Sequence, residues 1–226
     1  MGSAMTRPIT LRDWQVRAAL RGDLRRIVAP LKVQPPDDWR PAPGLVEIHR
    51  CDAWGEPVEP LTQRDVLGMG FTEADGSRGF VMPYAPGDTL YGREAWAHVP
   101  RTAYAMSDGV EQRLDATDPD MAAVYKAGWE RCAPRWRSPV TMPRWASRWT
   151  LTVGEVAVIR GWDVTEAEAE EAGFLCEILG DQGRASSTTA LGVFCDQFNT
   201  DHPGAWGRNP WCISASVETR KGNCDE

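Results

Sequence analysis

The sequence predicts an α+β fold on two observations. Three runs, at 90–96, 149–153 and 211–217, alternate between two faces with a period of two, while the spans 13–20, 165–173 and 189–198 each carry a helix signal, a cap at 165–173, an apolar face at 189–198 and both at 13–20. Composition agrees. At 226 residues and 25.1 kDa the chain suits one domain with elaborations and can bury a sizeable core. Hydrophobic residues make up 42% and charged ones 25%, the balance of a soluble globular protein, and no apolar run is long enough to cross a bilayer. No membrane partner is expected.

Met1-Gly2-Ser3-Ala4 read as a cloning scar ahead of a native start at Met5, without the apolar segment of a secretory signal. The helix at 13–20 places Trp14 and Ala18 on one stripe and Val16 and Leu20 on an adjoining one, and Gly22 closes it. Residues 33–44 hold too many prolines for a regular element. Short strands at 45–49 and 79–82 bracket a Gly-rich, acid-containing loop at 68–79. Pro86-Gly87-Asp88 then turns the chain into a strand with Leu90, Gly92, Glu94 and Trp96 on one face and Tyr91, Arg93 and Ala95 on the other.

Residues 100–140 form a second elaboration, in which Asp118-Pro119-Asp120 is read as the cap of a helix through Met121, Val124 and Tyr125 to Gly128. A loop at 142–148 enters a strand where Trp149, Leu151 and Val153 alternate with Thr150 and Thr152. Gly154 marks a bulge or bend before the strand resumes at 156–159. Thr165 and Glu168 make a capping box that opens an acidic helix ended by Gly173, and a further helix brings Ala190, Phe194 and Phe198 to one face. Trp211, Ile213, Ala215 and Val217 give the clearest alternation in the chain, followed by a polar, disordered tail at 219–226. No internal repeat is visible.

Glu94 is the residue of most chemical interest, because it shares the apolar side of its strand with Trp96. A carboxylate removed from water must find donors or raise its pKa. Two readings are open: a structural Glu paired with a buried Arg, or a ligand-binding or catalytic group. The six cysteines show no CxxC pair and the three histidines lie far apart, so reduced thiols, no metal and no cofactor are expected.

A net charge of −7 argues against nucleic acid until the distribution is read. Arg7, Arg12, Arg17, Arg21, Arg25, Arg26 and Lys32 are opposed only by Asp13 and Asp23, and Arg131, Arg135, Arg137, Arg144 and Arg148 are interleaved with Trp136, Trp145 and Trp149. By contrast, 163–181 carries seven acids and no base. Either the basic stretches converge as a surface for phosphates and unstacked bases, or the arginines cap helices and pair with the acidic helix.

Four separated pieces resemble the ASCH-domain family of the PUA-like superfamily, in particular its longer phage and prophage members. They are Pro83-Tyr84 with the run from Gly87 to Trp96; Met142-Pro143-Arg144-Trp145-Ala146-Ser147-Arg148; Asp163-Val164-Thr165-Glu166 with Ala172-Gly173; and Asn209-Pro210-Trp211. The resemblance covers about half the chain. It implies a single domain over 5–218, built as a curved, partly closed β-barrel with peripheral helices and loop-rich insertions at about 33–80 and 100–140. A cleft for a nucleobase, RNA or DNA comes with it. Some compact members are similar to amidohydrolases that deacylate cytidine with a Lys, a Thr and a Glu. The Glu falls on Glu94, but the motif that supplies the other two is shortened here to Arg21-Gly22-Asp23-Leu24-Arg25-Arg26, without the Lys and Thr.

Three functions follow from the resemblance and the charge pattern. The first is binding of RNA, single-stranded DNA or a modified nucleoside, with Glu94 on a base edge, Tyr91, Trp96 or Trp145 stacking, and Arg25, Arg26, Arg144 and Arg148 on phosphate. Tyr84, Arg93 and Ser147 join the ligand-binding set through the matched pieces. The second is hydrolysis of an N-acylated cytidine-type nucleoside, with Glu94 as acid or base. The third is a phage protein-interaction module that uses the acidic helix. A cytoplasmic location, in a bacterial host for a phage-derived chain, is implied, and the oligomeric state is left open.

Overall fold

The computed structural model describes residues 6–35, 40–41, 71–72, 83–104, 109–175 and 189–224. Its strands are β1 (Thr6–Thr10), β2 (Arg26–Pro30), β3 (Arg40–Pro41), β4 (Phe71–Thr72), β5 (Thr89–Arg93), β6 (Trp96–Pro100), β7 (Arg113–Leu114), β8 (Met121–Tyr125), β9 (Trp149–Arg160) and β10 (Trp211–Lys221). The helices are α1 (Asp13–Arg21), α2 (Glu166–Glu171) and α3 (Ala190–Asp201), so the fold is mixed α+β. The strands expected at 45–49 and 79–82 lie outside the described residues. Contacts gather into two units, one of 5–25, 88–152 and 218–226 and the other of 1–4, 26–87 and 153–217; β9 and β10 each pass from one to the other.

In the first unit β1 runs parallel to β5, with Thr10 opposite Arg93, and β5 pairs antiparallel with the start of β9, with Leu90 opposite Leu151. Leu90, Gly92, Glu94 and Trp96 are all buried, as the alternation predicts. The strand itself does not continue through them. It breaks at Glu94 and Ala95, and Trp96 starts β6 in a separate antiparallel sheet of order β6-β8-β7.

Residues 121–125 form the central strand of that sheet and not the expected helix. Ala122, Ala123, Val124 and Tyr125 are all buried, so the segment shows no alternation to betray a strand. Sheet pairing on both edges decides it. Helix α1 ends at Gly22, whose φ of 84° is the left-handed cap conformation. Its buried face is Gln15, Val16, Ala18 and Ala19, whereas Leu20 is exposed, which rotates the apolar stripe away from the one read from sequence.

In the second unit β2 pairs antiparallel with β10, with Ser216 opposite Arg26. Strand β9 passes through Gly154 without interruption. A Cβ there would lie 2.6 Å from Ser216 Oγ, so close approach between strands explains this glycine and no bulge is needed. Thr165 and Glu168 form the expected capping box on α2. Glu166 accepts from the backbone N–H groups of Ala190 and Leu191 at 2.7 and 3.1 Å, placing a carboxylate on the positive end of α3. Phe174, Phe194, Phe198 and Trp206 pack edge to face behind it.

The described polar residues after Val217, 218–224, stay with the fold. Strand β10 continues to Lys221, and the fully buried Asn223 donates Nδ2–H to the carbonyls of Arg144 and Ser147 at 2.8 and 3.0 Å. These bonds hold Asn223 against the loop that enters β9.

Candidate functional site

In the first unit three local features converge on Glu94. Gly92 lets β5 approach its neighbours, since a Cβ there would meet Leu11 Cδ1 at 2.7 Å and Trp149 Cβ at 2.9 Å. Leu11 N–H donates to Arg93 O at 2.8 Å, which fixes the start of α1 beside the break after β5. Ser147 Oγ–H donates to Gly92 O at 2.7 Å and so positions the next two residues, Arg148 and Trp149.

Glu94 is 2% exposed and its carboxylate is held by three donors. Oε1 accepts from Arg148 Nε at 2.8 Å and from Trp149 Nε1 at 2.9 Å, and Oε2 accepts from Arg148 Nη2 at 2.9 Å. The Arg148 contact is bidentate. Arg148 also donates from Nη1 to Glu111 at 2.6 Å, Lys221 Nζ reaches the same Glu111 oxygen at 2.9 Å, and the guanidinium lies over the Tyr125 ring at 4.1 Å. Acid and base alternate along this chain of four, so it is neutral as a whole. Burial pushes the Glu94 carboxyl above its ordinary value while the Arg148 and Trp149 donors pull it back. For Glu111, burial is outweighed by Arg148 and Lys221, and the net direction is down.

Glu94 also lines a cavity of about 320 Å³, together with Leu11, Arg12, Asp13, Val16, Lys126 and Val140, and with the hydroxyl-bearing Thr10 and Ser138. Oε2 has a single donor among the described residues, and a carboxylate oxygen accepts two. An uncommitted acceptor position therefore belongs to a residue on the wall.

The sequence-predicted site residues separate in the structure. Glu94, Arg148 and Ser147 are brought together, and Glu94 has the buried Arg partner that its structural reading called for. Arg93 donates from Nη1 at 2.8 Å to the carbonyl of Val140, a residue that lines the same cavity, and lies over Tyr91. Trp96 is buried, donates Nε1–H to Thr141 and meets Trp145 edge to face at 6.3 Å, so these two indoles pack on each other. Arg144 is exposed, with Nε 3.3 Å from Cys224 Sγ. Arg25 is exposed. In the second unit Arg26 pairs with Glu171 at 2.6 Å and Glu168 at 3.7 Å, which is the alternative reading of the basic stretch. Also in that unit, Tyr84 is half-buried and burial lifts its hydroxyl to about 12.

Sequence reasoning gave no site role to Arg12, Lys126 or Ser138, nor to the network members Glu111 and Lys221. Arg12 stands in the first basic stretch, a signal too diffuse to single it out; Lys126 and Ser138 carry none, because only the fold brings 10–16, 94–95 and 126–140 to one cavity. Among the described residues no group of three or more His, Cys, Asp or Glu side chains is placed to hold a metal, and no helix is long and apolar enough to cross a membrane. Comparison with family models, curated proteins and solved structures gives no match to this chain.

Proposed function

We propose that this chain is an ASCH-domain protein of the PUA-like, curved-barrel type, acting in the cytoplasm, and that the Glu94 cavity receives a base of RNA, single-stranded DNA or a modified nucleoside. One observation carries the reading: a buried carboxylate with an unused acceptor position lines a cavity at the lower end of the range for small-ligand pockets. The exocyclic amine of a base is a donor suited to Oε2. Leu11, Val16 and Val140 offer apolar surface to the ring, and Arg12 and Lys126 supply cations for an attached phosphate.

Fluorescence anisotropy with labelled single-stranded RNA and DNA over a salt series tests it. Binding is expected to weaken as salt rises, Lys126→Ala to flatten that dependence, and Glu94→Gln to lower affinity by about tenfold through loss of a charged acceptor. Absence of binding at low salt removes the proposal.

A second reading, hydrolysis of an N-acylated cytidine, is favoured by the presence of Lys126, Thr10 and Ser138 on the same cavity as Glu94. These supply the amine and hydroxyl types missing from the shortened motif. It ranks below binding because Oε1 of Glu94 already accepts two hydrogen bonds and the carboxylate is held by Arg148, which leaves little of it placed to take a proton from a nucleophile. Ultraviolet absorbance on incubation with N4-acetylcytidine decides. Turnover lost in Lys126→Ala supports hydrolysis, and no turnover rejects it.

A further inference from the structure

The second unit holds a separate cleft of about 710 Å³ whose cations are matched differently. Arg160 and Arg208 line it, with Pro30, Pro35, Pro203 and Pro210, Trp211, His202 and a single acid, Asp201. The guanidinium of Arg160 lies over the Trp211 ring at 4.0 Å and donates from Nη1 to Asn209 O at 3.1 Å. Both contacts orient the group without neutralising it. Its Nε and Nη2 have no acceptor among the described residues, and the exposed side chain of Arg208 makes no hydrogen bond or ion pair there.

The platform under these arginines is fixed. Gln34 accepts from Trp211 N–H at 2.7 Å and donates to the carbonyls of Trp211 and Leu31 at 3.0 and 2.9 Å, tying β10 to the chain after β2. Between the two arginines and β10 the chain turns through Asn209, the one non-glycine residue with positive φ among those described, at 47°. The turn holds its shape because Asn209 Oδ1 accepts from Trp162 N–H at 2.9 Å.

We propose that this cleft binds a 5′-nucleoside monophosphate, with Arg160 and Arg208 donating to the phosphate. Planar guanidinium groups with unfilled donors suit phosphate oxygens. The volume greatly exceeds that of a bare anion, the proline rings give flat apolar walls for a base, and Asp201 is an acceptor type for ribose hydroxyls. The cleft shares no residue with the Glu94 cavity, so this inference stands or falls independently of the reading given to that site.

Isothermal titration calorimetry with the four 5′-nucleoside monophosphates, the matching nucleosides and inorganic phosphate tests it on the full chain. At least one nucleotide is expected to bind about tenfold or more tightly than both its nucleoside and phosphate. Arg208→Ala, at an exposed position, is expected to weaken that binding about tenfold with the fold retained by circular dichroism, and Arg220→Ala, an equal charge change outside the cleft, to leave it unchanged. A 5′-phosphorylated dinucleotide separates a free nucleotide from a strand end as the source, and tighter binding than its unphosphorylated form supports the same phosphate site. The proposal is overturned if no nucleotide binds, if nucleoside and nucleotide bind alike, or if Arg208→Ala and Arg220→Ala behave alike.

Discussion

Arg148 and Arg160 are both stacked on aromatic rings, yet their charges are handled in opposite ways. Arg148 is 5% exposed and spends its donors on Glu94 and Glu111, whereas Arg160 is half-buried and has a carbonyl and an indole as its contacts. A cation matched by carboxylates holds a structure together. One oriented by neutral groups retains its charge for an anion from outside. Glu94 is thus chiefly the keystone of an ion network with one acceptor position to spare, while the Arg160 cleft presents charge that the described residues do not cancel.

The comparison breaks most visibly at Arg148. Replacing it with Met leaves Glu94 buried without its cation, and a loss of about 3–5 kcal/mol is expected in urea denaturation. A loss below about 1 kcal/mol shows that the network is not what secures the first unit. Packing beneath the network is tested by Gly92→Ala, whose methyl group meets Trp149 Cβ and Leu11. A cost of about 1–3 kcal/mol is expected from the same measurement, and a neutral result means that Leu11 yields without strain.

The pH dependence sharpens the contrast within the network. Glu94 has its pKa raised in the fold, so in the window above the ordinary glutamate value the folded state holds a proton that the unfolded state has lost, and this group's contribution to stability falls as pH rises. Glu111 is shifted down, so its contribution is present above the ordinary glutamate value and is lost as pH falls through the folded value. Subtracting the profiles of Glu94→Gln and Glu111→Gln from that of the unmodified protein is expected to give slopes of opposite sign, each at most about 1.4 kcal/mol per pH unit. Equal signs refute the assignment. Arg160→Met has the smallest expected effect, about 0.5–1 kcal/mol from the lost stacking, read by the same denaturation series. A cost as large as that of Arg148→Met shows that the two arginines do not differ in role.

Signals that lie within a few residues of each other were legible. The capping box at Thr165 and Glu168, the glycine stop after α1, and the alternations at 149–153 and 211–217 all depend on neighbours along the chain. The segment 121–125 was misread for the opposite reason. Its strand identity comes from β6 and β7 on its two edges, and burial of 122–125 erases the period. Glu94 was visible as a carboxylate on an apolar face with a buried Arg as one expected partner, but nothing local says which Arg, and Arg26, expected on phosphate, pairs with α2.

By itself, then, the sequence determined where α1, α2 and α3 start or stop, which side of 90–96 is buried, and that a carboxylate lies on that side, because these follow from periodicity and caps. Only the tertiary structure decided that Arg148 neutralises Glu94, that Asn223 is buried, and that Lys126 shares the cavity. Arg148 lies 54 residues from Glu94. No local pattern encodes a pairing over that distance; β5 and β9 must first align in one sheet before the guanidinium and the carboxylate come within reach.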